Sequence, residues 1–248
     1  MGDPVRADEE AIATERAVRD AQAEIYDEHR AGLAWEYAAM DACFERLLGL
    51  LPTHRVLDAG CGTGAHVPWL LERTASVVGV DHSAHSLEIA RRRLTQPEAD
   101  RVELLEGDIR SLPLADRSVD RVLSAGVIQH LPSHAAREES VRNFFRVLVP
   151  SGIAAVSVYK WLGHSGWRRN GAFVAPDGRI PYHGFTPREI RRLFEQAGFV
   201  DVVIAGAAPV PALAKRFAIG LERQTRLAFT PVGRLLGDYL VVAGVRPA

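Results

Sequence analysis

The apolar positions of the chain change period several times, and the changes divide it into elements. Residues 1–10 are mostly polar and acidic and are expected to fray. From there to residue 51 the pattern is helical in two pieces, with a break near Ala31 and Gly32. In the second piece Leu33, Tyr37, Met40, Phe44, Leu47 and Leu51 recur at steps of four and three. That spacing draws one apolar stripe along a helix and predicts packing against a sheet. Short apolar runs then alternate with helical segments. Strands are expected to end at Val56-Leu57 and to cover 76–80, 101–105, 119–124 and 153–159. Helices are expected over 65–73, 84–94, 138–148 and 187–196, and such alternation implies a parallel sheet. Residues 160–183, rich in Gly, Trp and Arg, show no period and read as a functional loop. A sixth strand is expected at 199–204, then an insertion at 205–237 with a helix at 213–227, and a last strand at 238–245.

Composition narrows the class. A chain of 248 residues with 47% hydrophobic and 25% charged content suits one large α/β domain with additions. The formal charge of −1 gives no global field to recruit nucleic acid. Of the 30 basic residues only Lys160 and Lys215 are lysine, a bias read as genomic base composition. Cys43 and Cys61 are too few and too far apart for a disulfide framework or a zinc site, so no metal is expected. The polar N-terminus is unlike a signal peptide and no apolar run reaches membrane-spanning length, so a cytoplasmic protein is expected.

The stretch from Arg55 through Val56, Leu57, Asp58, Ala59, Gly60, Cys61, Gly62 and Thr63 to Gly64 changes the picture most. Glycines at alternate positions after a buried strand permit a tight turn and a close ligand approach. Gly60, Gly62 and Ala65 also satisfy a dinucleotide pattern, but Asp58 would repel a pyrophosphate and suits an ammonium group. Two further carboxylates, Asp81 and Asp108, fall at the ends of the second and third strands. Asp81 lies 23 residues after Asp58, a strand-helix-strand distance, where it can take both hydroxyls of a ribose. With these residues the chain resembles the class I S-adenosylmethionine-dependent methyltransferases, small-molecule type, over residues 20–246.

The resemblance implies a Rossmann-like, doubly wound α/β fold: a seven-stranded sheet with an antiparallel last strand. It implies a helical lid at 1–51, a cofactor-binding core at 52–160, and a substrate loop with the last strands at 161–248. It places the cofactor against Tyr26, Asp58, Gly60, Cys61, Gly62, Asp81, His82, Asp108, Ile109, Ser124 and Ala125. Asp108 would take the adenine amino group, with Ile109 as the apolar wall. The 118–132 stretch and the turn at Leu148-Val149-Pro150-Ser151-Gly152 resemble later family motifs, although Ser151 stands where glycine is commoner. His130, Tyr182 and His183 are the candidate catalytic residues, with Tyr159, Trp161, His164 and Trp167 also near the expected substrate mouth. Three rivals remain: a wobble-uridine tRNA methyltransferase, a nicotinamide oxidoreductase and a non-catalytic S-adenosylmethionine-binding protein. The residues favour a small-molecule acceptor over RNA and leave open the atom methylated and the oligomeric state.

Overall fold

Seven strands, β1 (Arg55–Ala59), β2 (Ser76–Asp81), β3 (Val102–Glu106), β4 (Val119–Ala125), β5 (Leu148–Tyr159), β8 (Val200–Pro209) and β9 (Gly237–Val245), form one sheet. Their order is β3-β2-β1-β4-β5-β9-β8 in the computed structural model, which describes residues 4–161, 170–175, 178–209 and 220–248. The first five strands pair in parallel, and β9 runs antiparallel to both of its neighbours, β5 and β8. This is the Rossmann-like, doubly wound arrangement with a reversed last strand that the sequence suggests.

Both faces of the sheet are covered, which is why the strands read as nearly continuous apolar runs. On one face Leu57, Val78, Val122 and Val156 meet Phe144 of α7 (His134–Val147) and Ile190 and Phe194 of α8 (Pro187–Gln196). On the other, Val56, Val77, Leu123 and Ala155 meet Met40 and Phe44 of α3 (Ala34–Leu48), Leu70 of α4 (Val67–Leu71) and Ala228 of α9 (Leu221–Ala228). Val56 and Leu57 take opposite faces because strand side chains alternate. α5 (Ala84–Arg93), α6 (Gln96–Ala99) and α10 (Pro231–Leu236) complete the outer layers after α1 (Pro4–Gln22) and α2 (Tyr26–Gly32).

Several boundaries differ from the sequence reading. The N-terminal segment is helical from Pro4 onward and divides into three helices, with breaks at 23–25 and at Leu33. Its polar first turns are held by partners on the core rather than by apolar packing, so the apolar pattern hid them. The stripe on α3 stops at Leu48, and Leu51 is exposed. The expected helix at 65–73 shrinks to Val67–Leu71, because Gly64 is left-handed (φ 78°) and interrupts the path. α7 begins four residues earlier than expected, since Ser133 caps it by accepting from the Ala136 N–H. β5 takes in the turn before it: its register with β4 jumps between Leu148 and Ile153, and Ser151 sits at φ 62°. The aperiodic 160–183 stretch contains a hairpin, β6 (Asn170–Ala175) with β7 (Gly178–His183), whose Gly and Pro residues blur the alternation. Of the insertion, the described part consists of the end of β8 and the short helices α9 and α10; the rest of the expected 213–227 helix, up to residue 219, lies outside the described residues.

Candidate active site

The C-terminal ends of β1 to β4 open on a cleft of about 900 Å³ including its mouth. Its floor is the turn after β1. Gly60 is left-handed at φ 79°, and a Cβ there would stand 2.4 Å from Val127 Cγ2, so this glycine lets two loops close on each other. Gly62 is different. It is also left-handed, at φ 52°, yet no heavy atom lies within 4 Å of where its Cβ would be, so the backbone borders open space. A cradle of this kind admits a ligand against bare backbone.

Three carboxylates sit at the strand ends, each in its own state. Asp58 is fully buried, and neither oxygen has a hydrogen-bond partner among the described residues. Burial pushes its carboxyl up to about 6, against the lowering charges of His66 and Arg30. An orphaned buried carboxylate is costly unless something cationic completes it. Asp81 lines the cleft and is anchored by backbone: the Gly62 N–H donates at 2.8 Å and the Ser83 N–H at 2.9 Å. Burial nonetheless raises its pKa, outweighing those bonds. Asp108 lines the cleft as well, with Arg110 donating to it through the backbone N–H at 2.7 Å and Nε at 2.8 Å.

The roof comes from the N-terminal helices. Ile12, Glu15, Arg19 and Gln22 of α1 and Tyr26 of α2 line the cleft. Glu15 bridges Arg19 at 2.6 Å and His82 at 2.9 Å. Burial alone would raise the Glu15 pKa, but the His82 bond and the Arg19 charge hold it down at about 2. Burial alone would lower that of His82, but Glu15 raises it. Asp27, next to Tyr26, accepts from Thr63 Oγ1 at 2.9 Å and from Arg93, and so latches α2 to the glycine turn.

A second chamber joins the first through Arg19, Gln22, Tyr26, Ala125, Gly126 and His130. Tyr37, Tyr159, Tyr239, Met40, Gln129 and Ser157 line the rest of it, with Leu33 and Ile180. His130 stands at the junction, where Nδ1 lies 2.8 Å from the Pro181 carbonyl oxygen and fits a donated hydrogen bond. Burial, with the Arg19 charge, lowers its pKa to about 4. The imidazole is therefore neutral near pH 7 and a weak base.

The other residues singled out from the sequence distribute as follows. Ile109 and Ala125 line the cleft. Cys61 is buried outside the lining with its thiol pKa raised by burial, and Ser124 donates to the Ala59 carbonyl at 2.8 Å from inside the sheet. Tyr182 stands edge-on behind Tyr159, with ring centroids 5.6 Å apart, and does not line either chamber. His183 is not in the cleft: it pairs with Glu189 at 2.7 Å and borders a separate groove with Arg137 and Arg188. Trp161 is tied through its backbone to Phe185, while His164 and Trp167 lie outside the described residues. Sequence reading missed Glu15, Arg19, Tyr37, Gln129 and Tyr239. Only the four-residue spacing of Glu15 and Arg19 hinted at a pair. Tyr37 read as part of a packing stripe, and Tyr239 as an ordinary strand residue.

Among the described residues no group of three or more His, Cys, Asp or Glu is placed to hold a metal, and no helix is long and apolar enough to cross a membrane. Residues 56–152 match the family of the methyltransferase domain, the span that holds the glycine turn and all three carboxylates. Residues 56–152 are thus a methyltransferase domain. Within and around this methyltransferase domain the chain is similar to methyltransferase GfsG of Streptomyces halstedii, 39% identical over 106 residues, covering 42% of this chain and 37% of the relative. It is similar to malonyl-[acyl-carrier protein] O-methyltransferase of Pectobacterium atrosepticum, 40% identical over 114 residues, covering 45% and 42%. The chain thus spans less than half the length of either relative. An S-adenosylmethionine-dependent methyltransferase from Mesorhizobium loti shares the fold, with a TM-score of 0.62 at 19% identity over 84% of this chain and 98% of that one.

Proposed function

We propose that the protein transfers a methyl group from S-adenosylmethionine to a small-molecule acceptor. The observation that carries this reading is Asp58, a buried carboxylate without a partner behind a glycine cradle that is open at Gly62. S-adenosylmethionine supplies an activated methyl group and an ammonium group that Asp58 would balance. Asp81 would hold the ribose hydroxyls, and Asp108 and Ile109 the adenine, with Gly60, Ala125 and His82 completing the walls. Cys61 and Ser124 would act from behind, by shaping the turn and the end of β4. Tyr26 and α1 would close over the bound molecule, as a helical lid, and exclude water. Displacement at a methyl group needs alignment and dryness more than a catalytic group of the protein. His130 faces the acceptor side of the junction; Tyr182 would support it through Tyr159, and His183 only indirectly through β7. The compartment proposed is the cytoplasm, in keeping with two free, buried thiols at Cys43 and Cys61.

Calorimetry on the purified chain tests the reading. S-adenosylhomocysteine is expected to bind and NAD to give no heat; the reverse result would overturn it.

A further inference from the structure

The acceptor chamber carries an unusual balance of groups. Among the described residues fourteen line it, and none of these is Asp or Glu. Among these residues the one fixed charge is Arg19. Nε of Arg19 donates to Glu15 at 2.6 Å, and among the described residues the two terminal nitrogens carry no hydrogen bond. Glu15 is shared with His82, so it is not left to cancel Arg19 alone. Two further polar groups lie in the wall. Ser157 is 1% exposed and Gln129 2% exposed, and Ser157 Oγ and Gln129 Oε1 have no partner among the described residues. Buried polar atoms are as a rule hydrogen-bonded, so these two are open to the polar groups of a bound molecule. Tyr26, Tyr37, Tyr159 and Tyr239 supply aromatic faces around these groups.

Among the described residues no strong base faces the chamber. His130 titrates at about 4, and Tyr159 is pushed up to about 12 by burial, so near neutrality its hydroxyl keeps its proton. An alcohol would have to lose a proton to a poor base. An amine would arrive as a cation beside Arg19, with no carboxylate to receive it. An acceptor that is already an anion needs neither.

Resting on the methyltransferase reading above, we propose that the acceptor is a carboxylic acid with an apolar or aromatic body, bound as its carboxylate by Arg19 and Ser157 and converted to a methyl ester. Gln129 Oε1 accepts from an N–H or O–H elsewhere on the same molecule. In the transfer a carboxylate oxygen lone pair forms the new O–CH3 bond as the S–CH3 bond breaks. That bond's electron pair stays on sulfur, the sulfonium becomes a neutral thioether, and no proton moves.

The test uses the full chain with methyl-tritiated S-adenosylmethionine and matched sets of aryl and acyl-amino compounds that differ only in carboxylate, amine or alcohol. Products are treated with mild alkali and volatile methanol is counted. The acids are expected to be labelled at least about tenfold better than their partners, a difference of one good polar contact, and the label to become volatile. Ser157→Ala is expected to raise KM for the acid roughly fivefold with unchanged affinity for S-adenosylhomocysteine, and Arg19→Gln to raise it further. Alkali-stable label, preference for amines or alcohols, or no labelled acid in a protein that binds S-adenosylhomocysteine overturns the assignment. Loss of S-adenosylhomocysteine binding by the wild-type chain would instead overturn the methyltransferase reading itself.

Discussion

Asp58 has a consequence for pH that follows from its burial. Its folded-state pKa, about 6, lies above the ordinary 3.8, so the folded protein binds the extra proton between those values. A raised carboxylate contributes stability at low pH and loses it as pH rises through about 6, at a cost on the order of 3 kcal/mol near neutrality. Asp58→Asn is therefore expected to raise the melting temperature of the ligand-free protein at neutral pH while weakening S-adenosylhomocysteine binding at least tenfold, read by scanning and titration calorimetry (~1.4 kcal/mol). For the wild type, affinity should fall about tenfold per unit below pH 6, because the ammonium group needs the ionised carboxylate. Glu15 has the opposite sign: held at about 2, it stabilises above its ordinary 4.5 and that stability is lost as pH falls. Ser151 offers a simpler check. At φ 62° it occupies the left-handed region at a cost of about 1 kcal/mol for a residue with a side chain, so Ser151→Gly is expected to raise the denaturation midpoint.

α1 is an element that the core holds by polar contacts. Arg16 pairs with Glu106, Glu9 with Arg110 at 3.1 Å, and Asp20 accepts from Ser83 Oγ at 2.5 Å, while Glu15 joins His82. Its buried apolar residues are few, with Val18 the main one. The pairs Arg16 with Glu106 and Glu9 with Arg110 are solvent-exposed and weak singly, so the helix is suited to open and close without unfolding the sheet. Hydrogen exchange in α1 is expected to speed up several-fold in about 0.5 M salt and to slow on adding S-adenosylhomocysteine, with β1 to β5 unchanged in salt. Equal change in helix and sheet would contradict the lid. α7 is secured in another way: Arg246 Nη1 donates to the carbonyls of Phe145, Arg146 and Leu148, at 2.8, 3.0 and 2.7 Å, and so closes the helix end from the far terminus. Arg246→Met is expected to cost about 2 kcal/mol in urea denaturation by stranding those carbonyls.

For the whole molecule, the position of β9 matters most. It lies between β5 and β8, so the sheet beyond β5 exists only once the last residues of the chain have arrived. Deleting residues 237–248 should therefore leave β8 without a partner and yield an insoluble product rather than a shortened enzyme. The charge distribution bears on the acceptor. A tyrosine-lined chamber with one guanidinium suits a small molecule, whereas RNA would require a basic entrance and a steep dependence on salt. Activity is expected to vary less than about threefold between low and physiological salt. A fall of several orders of magnitude would favour the tRNA reading.

The glycine turn and the cleft around it were legible in the sequence because their signals are local. The Val56-Leu57-Asp58 run, the left-handed glycines and the acidic strand ends each report a backbone requirement within a few residues, and the β-α alternation follows from apolar period alone. Ser83 and Thr186 cap their helices by equally local bonds, each accepting from the N–H three residues ahead. The second chamber was not legible. Arg19, Tyr37, Gln129, Ser157 and Tyr239 come from three helical or loop segments and two strands far apart in the chain, and each by itself reads as packing or surface. Only the tertiary fold, by laying α1 across the strand ends and threading β9 beside β5, gathers them around one space and leaves Ser157 Oγ and Gln129 Oε1 buried without partners among the described residues. It also removed His183 from the site, because β7 hands that side chain to Glu189 on α8 instead. Burial and hydrogen-bond satisfaction are properties of surroundings, and a residue's surroundings are decided by segments that its own sequence neighbourhood does not contain.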